Sequence, residues 1–332
     1  MFLSRREFLL IAGGALLSGQ KKSSSVIMTI NGPVSADQLG ITLIHEHLLV
    51  DFIGADKIND SRWNRQEVVK KVLPYLQELK QHHVKTFFDC TPAYLGRDVN
   101  LLKMIADKSG LQIITNTGYY GAGDNKYLPS HAHQDTAEQL AKIWIKEFEK
   151  GIGVSGVKPG FIKIGVGSGP LSALHKKLVV AAAITHLATG LTICSHTGPA
   201  IPALEEIELL QQNGVDARAF VWVHAQAEQD KSNHKKAAEN GAWISLDGIG
   251  WGDGDNYADS IEKLKQANLL HRVLISHDAG WYKPGEPEGG KFTGYTNIFT
   301  QLLPLLKNKG FTETDIEQLL VKNPAEAFAI SG

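Results

Sequence analysis

Cysteine is scarce: Cys90 and Cys194 are the only two in the chain. Two thiols cannot frame a disulfide-stapled fold, and both lie in apolar runs, which suits small buried side chains better than a bridge. Neither sign of charge is in excess. The formal net charge of −1 leaves no global field to recruit nucleic acid or an anionic membrane surface. The apolar stretch from Leu9 to Leu17 is too short to span a bilayer comfortably. There is no repeat of fixed period and no low-complexity linker, so one domain is favoured over two. No Gly-x-Gly-x-x-Gly turn follows the first β-rich run, which counts against a dinucleotide-binding sheet.

The 332 residues, with 43% hydrophobic and 21% charged side chains, suffice for one large α/β domain with a sizeable core. The first 24 residues stand apart. Ser4-Arg5-Arg6-Glu7-Phe8-Leu9 leads into the apolar stretch, then Ser18-Gly19-Gln20 and the polar run Lys21-Lys22-Ser23-Ser24-Ser25. A basic region, a short apolar region and small residues make an export signal. The paired arginines followed by Phe-Leu resemble the twin-arginine type, which carries folded proteins and implies a periplasmic location. Residues 1–24 are therefore expected to be a signal peptide and residues 25–332 a single domain.

That domain alternates β-rich runs with helical stretches. The runs are Ile41–Val50, Val84–Asp89, Gln112–Thr117, Phe161–Val166, Leu191–His196, Ala219–His224, Ala242–Leu246 and Val273–Asp278. Helical patterns include Arg65–His82, Ala137–Lys150, Leu174–Thr189, Ala203–Asn213, Asp230–Asn240 and Ser260–Asn268, with a tail of two closing helices over Ile298–Lys309 and Asp315–Val321. Eight strand candidates separated by helices predict parallel βα units and a closed (β/α)8 TIM barrel, with an open doubly wound sheet as the runner-up. The glycine-rich segments 248–256 and 283–295 read as long loops at the rim.

The chemistry-bearing residues sit at the C-terminal ends of those strands, the end that forms the active-site face of such barrels. His45 and His47 form a His-x-His in strand one. Strand period puts Leu43, His45 and His47 on one face and Glu46 on the other, and two imidazoles on one face suit a divalent metal. Strand four carries Lys163 between Phe161-Ile162 and Ile164, where an unpaired ammonium would be costly. Strands five, six and eight end in His196, His224 and Asp278.

These residues are similar to those of the phosphotriesterase family of the amidohydrolase superfamily, including its phosphotriesterase-like lactonases. The resemblance spans the mature chain, from Ile30-Asn31-Gly32-Pro33 through Gly40-Ile41-Thr42-Leu43-Ile44-His45-Glu46-His47, Thr91 and Gly96-Arg97-Asp98 to Asn323-Pro324-Ala325. It implies two divalent ions, zinc by preference, at the barrel mouth. His45, His47 and Asp278 would hold the more buried ion, His196 and His224 the more exposed one. Lys163, carboxylated by carbon dioxide, would bridge both. A carbamate is a bidentate anion able to span ions roughly 3.5–4 Å apart. A water between the ions would be hydroxide near neutrality, and Asp278 would accept its proton. The implied reaction is hydrolysis of an ester-type bond. The implied partner is a small-molecule ester or lactone, with a homodimer left open and no stable membrane insertion of the mature chain.

In the lactonases a tyrosine follows strand three. Tyr120 of Gly118-Tyr119-Tyr120 best matches it, although both tyrosines also read as packing residues. The lactonases' arginine after strand seven has no counterpart in Asp247-Gly248-Ile249-Gly250-Trp251. Trp281 reads either as a pocket wall or as a seal on the barrel top. Asp89 either backs a ligand histidine or caps a turn. Arg97 and Asp98 are expected to pair near the rim. His277 is expected to point away from the barrel interior. His82, His83, His131, His133, His175, His186, His234 and His271 are expected on solvated faces. The alternatives kept open are a genuine phosphotriester hydrolase, a non-catalytic binding barrel and, least, a deaminase.

Overall fold

The computed structural model describes residues 25–330; the export-signal expectation on residues 1–24 falls outside them. A hairpin opens the fold, β1 (Val26–Thr29) against β2 (Gly32–Ser35). The barrel strands follow: β3 (Ile41–Leu49), β4 (Val84–Asp89), β5 (Gln112–Ile114) continued after Thr115 by β6 (Asn116–Thr117), β7 (Phe161–Gly165), β8 (Ile193–His196), β9 (Phe220–Val223), β10 (Trp243–Leu246) and β11 (Val273–Ile275). Each pairs in parallel with the next. The ring closes where Asp278 N donates to His45 O at 2.9 Å and a short β12 (Gly280–Tyr282) lies alongside β3. This is the (β/α)8 barrel expected.

The helices wrap it: α1 (Arg65–Gln81), α2 (Val99–Ser109), α3 (Ser130–Gln134), α4 (Ala137–Lys150), α5 (Ala173–Thr189), α6 (Ala200–Gln212), α7 (Ser232–Glu239) and α8 (Gly254–Gln266). In α1, Val68, Val69, Val72, Leu76 and Leu79 form a buried stripe at helical spacing. Each such side chain contributes roughly 1.5–3 kcal/mol of burial. Asn64 starts the helix by accepting the amides of Gln66 and Glu67. Two expectations fail at boundaries. The loop read over 248–256 ends early, because Asp253 caps Asp255 N and α8 begins at Gly254. The expected final strand, Val273–Asp278, ends at Ile275.

Two apolar layers follow from strand alternation. Ile44, Phe88, Ile114, Phe161, Cys194, Val221, Trp243 and Leu274 fill the barrel interior, closed below by Ile27, Leu39 and Phe328. The other strand faces pack on the helices. Cys90 and Cys194 are free, buried thiols in the interior layer, as their apolar setting implied. The expectation that Leu43 shares a face with His45 is wrong. A register shift against β4 lies between Leu43 and Glu46. Leu43 accordingly packs on the helix side while Ile44 faces inward. The irregularity resets the alternation just before the His-x-His, as a bulge does.

Candidate metal centre

One cavity at the C-terminal end of the barrel is lined by His45, His47, Lys163, His196, His224 and Asp278 together with Tyr120. All seven residues singled out in the sequence are thus brought together. His45 and His47 come from β3, Lys163 from β7 and His196 from the last residue of β8. His224 and Asp278 lie just past their strands rather than in them, with φ of 61° and 50°. That left-handed conformation is unfavourable for non-glycine residues and concentrates at functional sites. Asp278 Oδ1 lies 3.1 Å from His47 Nε2 and 3.7 Å from His45 Nε2, and Oδ2 lies 3.9 Å from His224 Nε2. Lys163 is 2% exposed, with its Nζ 3.3 Å from His45 Nε2.

The donor set fits divalent metal ions. His45 Nδ1 and His224 Nδ1 donate to the two oxygens of Asp247, at 2.9 and 2.8 Å. Thr91 Oγ1 donates to Leu49 O, so it accepts from His47 Nδ1 at 2.7 Å. With Nδ1 protonated in all three rings, each Nε2 turns a lone pair to the cavity, the arrangement that metal-ligating histidines require. His45, His224 and Asp278 offer ligand atoms within 4.8 Å of one another. Burial, reinforced by Lys163, lowers the His45 imidazole to about 4. Burial, then the charges of His224 and Lys163, hold His196 well below its usual value. Burial alone would raise Asp278, but the charge of His45 and the contact with His47 outweigh it and lower it. These shifts favour neutral His45 and His196 and an ionised Asp278, the protonation states that bind cations, whereas at His224 burial is outweighed by the Asp247 charge and hydrogen bond and the imidazole is raised.

Asp247 was missed as a site residue; its sequence signal was its place at the C-terminal edge of β10. It also accepts from Ser245 Oγ at 2.7 Å and Gln226 Nε2 at 3.1 Å. Burial would raise its carboxyl, but His224 and His45 hold it well below the ordinary range. Asp89 is less direct than a histidine partner. It accepts Thr91 N at 2.8 Å and Leu48 N at 3.4 Å, capping the turn that carries Thr91.

Two glycines let the wall close. A Cβ on Gly118, with φ of 115°, would meet the Lys163 carbonyl oxygen at 2.2 Å, and one on Gly165 would meet the Tyr120 ring at 2.9 Å. Tyr120 sits edge-on to His196 with centroids 5.0 Å apart. Burial, then the Asp278 charge, raises its phenol far above the usual range, so it is a hydrogen-bond donor. Trp281 is a wall: it lies 5.9 Å from His47, 5.5 Å from Phe52 and 5.6 Å from Trp251. The Trp251 indole donates to the carbonyls of His277 and Asp278.

Some expectations are corrected. Arg97 and Asp98 do not pair. Arg97 makes a two-pronged contact with Glu147, while Asp98 receives Arg65 and the Trp63 indole and caps α2. His175 and His234 are buried rather than solvated. His175 receives Gly167 N and faces Gly121 O and Asn125 Oδ1, tying two rim loops. His277 does point away from the cavity, onto Glu46 at 2.6 Å.

A family model described as "Phosphotriesterase family" matches residues 25–328. The chain is 29% identical over 301 residues to the phosphotriesterase homology protein of Escherichia coli, covering 89% of this chain and all of that one. It is 27% identical to the aryldialkylphosphatase of Saccharolobus solfataricus, covering 89% and 97%. The organophosphorus hydrolase structure from Deinococcus radiodurans superposes with a TM-score of 0.84 over 93% of this chain and 98% of that one. At 24% identity that likeness speaks to the fold.

Proposed function

The chain belongs to the phosphotriesterase family and is a metal-dependent hydrolase of ester or phosphoester bonds; from that premise we propose that its substrates are uncharged lactones or activated carboxylic esters, with phosphotriesters as a weaker side activity. The observation that carries this is the cavity lining. Apart from Lys163 it contains no lysine or arginine, and its outer wall is Val50, Phe52, Leu95 and Trp281. The cations nearby are already engaged. Arg62 holds Asp51, Lys126 donates to Phe52 O at 2.6 Å, and Lys283 lies 3.7 Å from Glu286. A phosphorylated or sulfonated substrate would bring its charge against an apolar wall without a counter-ion.

On this reading His45, His47 and Asp278 would hold one of two ions, zinc suiting the imidazole-rich set. His196 and His224 would hold the other. Lys163 would serve both ions as a carbamate, formed when its amine adds to carbon dioxide and releases one proton to solvent. That resolves an otherwise awkward buried amine whose neighbours are imidazoles. When bound, the ion pair supplies Lewis acidity and an activated water. Asp278, turned to the cavity and ionised, would accept a proton there. Tyr120 donates its phenolic hydrogen to the ester oxygen as charge develops there, a contact that grows in the transition state.

Steady-state kinetics on neutral lactones, aryl esters, phosphotriesters and phosphorylated analogues tests the reading. The neutral lactones or esters should give the largest kcat/KM. Tyr120→Phe should lower kcat and kcat/KM together on them, by about tenfold or more. A phosphotriester that outperforms every lactone and ester would overturn the ranking. An unchanged Tyr120→Phe variant would make Tyr120 a packing residue.

A further inference from the structure

Behind the His196 strand, on the helix side of the barrel wall, lies a carboxyl that the reaction does not use. Glu206 of α6 is fully buried. Ser195 Oγ donates to its Oε1 at 2.5 Å, and Thr197 Oγ1 lies 2.7 Å from its Oε2. Ser195 and Thr197 flank His196, whose own side chain turns the other way, into the cavity.

Counting protons distinguishes the two states of this acid. Thr197 Oγ1 has two acceptors beside it, Glu206 Oε2 and, at 3.0 Å, Ser195 O. A hydroxyl has one proton. If Glu206 were a carboxylate, the one Thr197 proton would have to be shared between two acceptors or leave one of them unmet. If Glu206 carries a proton on Oε2, three protons make three bonds: Oε2–H to Thr197 Oγ1, Thr197 O–H to Ser195 O, and Ser195 O–H to Oε1. Glu46 is the contrast. It also is fully buried, but it meets donors throughout: Ser276 Oγ, the His277 amide and ring, and the Ala279 amide.

We propose that Glu206 is held as a neutral carboxylic acid and acts as a positioning residue, closing a three-bond ring that fixes the strand end presenting His196. The surroundings agree. Among the described residues no cation pairs with Glu206, and the acids Glu205 and Glu228 are engaged elsewhere. Glu205 accepts Leu171 N, and Glu228 accepts Ala200 N at the start of α6. Burial pushes the Glu206 carboxyl up to about 8, against the pull of the two hydroxyls. Loss of the proton at alkaline pH removes one bond of the ring and loosens the His196 strand end.

The test combines spectroscopy with metal retention. In the infrared spectrum of holoenzyme made with isotope-labelled glutamate, a protonated-carboxyl C=O band at pH 7 should shift with the label. That band should disappear on titration through about pH 8 and be absent from Glu206→Gln. The label separates it from the buried Asp89. Glutamine keeps one donor and one acceptor in the same places. Glu206→Gln should therefore retain both metals at neutral pH and lose the alkaline decline in metal occupancy. Glu206→Ala should weaken metal binding about 10- to 100-fold, as loss of a ligand's support does. Absence of the label-sensitive band at pH 7 overturns the proposal, even if the variants fail to fold. Glu206→Gln losing metal as readily as Glu206→Ala overturns the positioning role.

Discussion

At the scale of single residues, the candidate site is unusual in how much one carboxylate organises. Asp247 fixes two imidazoles at once through His45 Nδ1 and His224 Nδ1, which in the proposed function would serve different ions. Asp247→Asn can keep the shape but offers one acceptor oxygen where two histidines need one each. Metal affinity should fall about 10- to 100-fold, read by competition with a chelator. Unaltered affinity would mean that the rings are held by packing alone. Lys163→Ala should leave a chain that folds, binds less than its full metal complement and loses most activity, with acetate or propionate partly restoring both. Full metal content in that variant would remove the bridging role. The candidate ligand residues were legible because histidines, a buried lysine and an aspartate recurred at strand ends, which chance rarely arranges. Asp247 was not legible, since an aspartate after a strand reads equally as a turn cap. Glu206 was invisible for another reason: it lies on an outer helix, and only packing reveals that it faces Ser195 and Thr197.

At the scale of elements, hydrophobic runs located all eight barrel strands, but their ends depended on local backbone geometry that periodicity does not encode. The register shift in β3 and the left-handed turns at His224 and Asp278 aim the side chains that line the cavity, and each interrupts the alternation that strand reading relies on. The buried histidine of α7 shows the same limit. His234 looks like one polar residue on a surface helix, yet its Nε2 donates to Ala225 O at 2.6 Å and its ring lies edge-on to Trp222. Burial lowers it from 6.5 to about 4. It is neutral in the fold, while the unfolded chain takes up a proton near 6.5. Its contribution is therefore present above about pH 6.5 and is lost as pH falls toward about 4. The loss should reach on the order of 3 kcal/mol. Denaturant unfolding across that window should show the slope in the wild type and a shallower one in His234→Gln. Equal slopes would place the acid sensitivity elsewhere.

At the scale of the whole molecule, the alternation of strands and helices was enough to predict the closed barrel. The plug at its lower end was not, because the hairpin β1–β2 and the tail are short segments that gain meaning only from each other. Val26 and Ile330 exchange both backbone hydrogen bonds, and Ala36 N donates to Ser25 O. The first residues after the proposed export signal are thus part of the barrel floor, and Ile27 is buried there with Phe328. This constrains processing. Cleavage at any point from residue 18 to residue 24 leaves the floor intact, whereas cleavage beyond Val26 would cut into it and expose the apolar residues beneath. It also suits a route that carries folded protein, since a barrel whose two ends meet can close and take up metal before crossing. Changing Arg5 and Arg6 together to lysine should therefore retain the protein inside the cytoplasm, folded and metal-loaded. The unaltered chain should reach the periplasm with a new N-terminus no later than Ser25. Cell fractionation with N-terminal sequencing reads both. Unchanged export of the double-lysine variant would remove the twin-arginine assignment, and a mature chain starting beyond Val26 would contradict the role of the hairpin as the floor of the barrel.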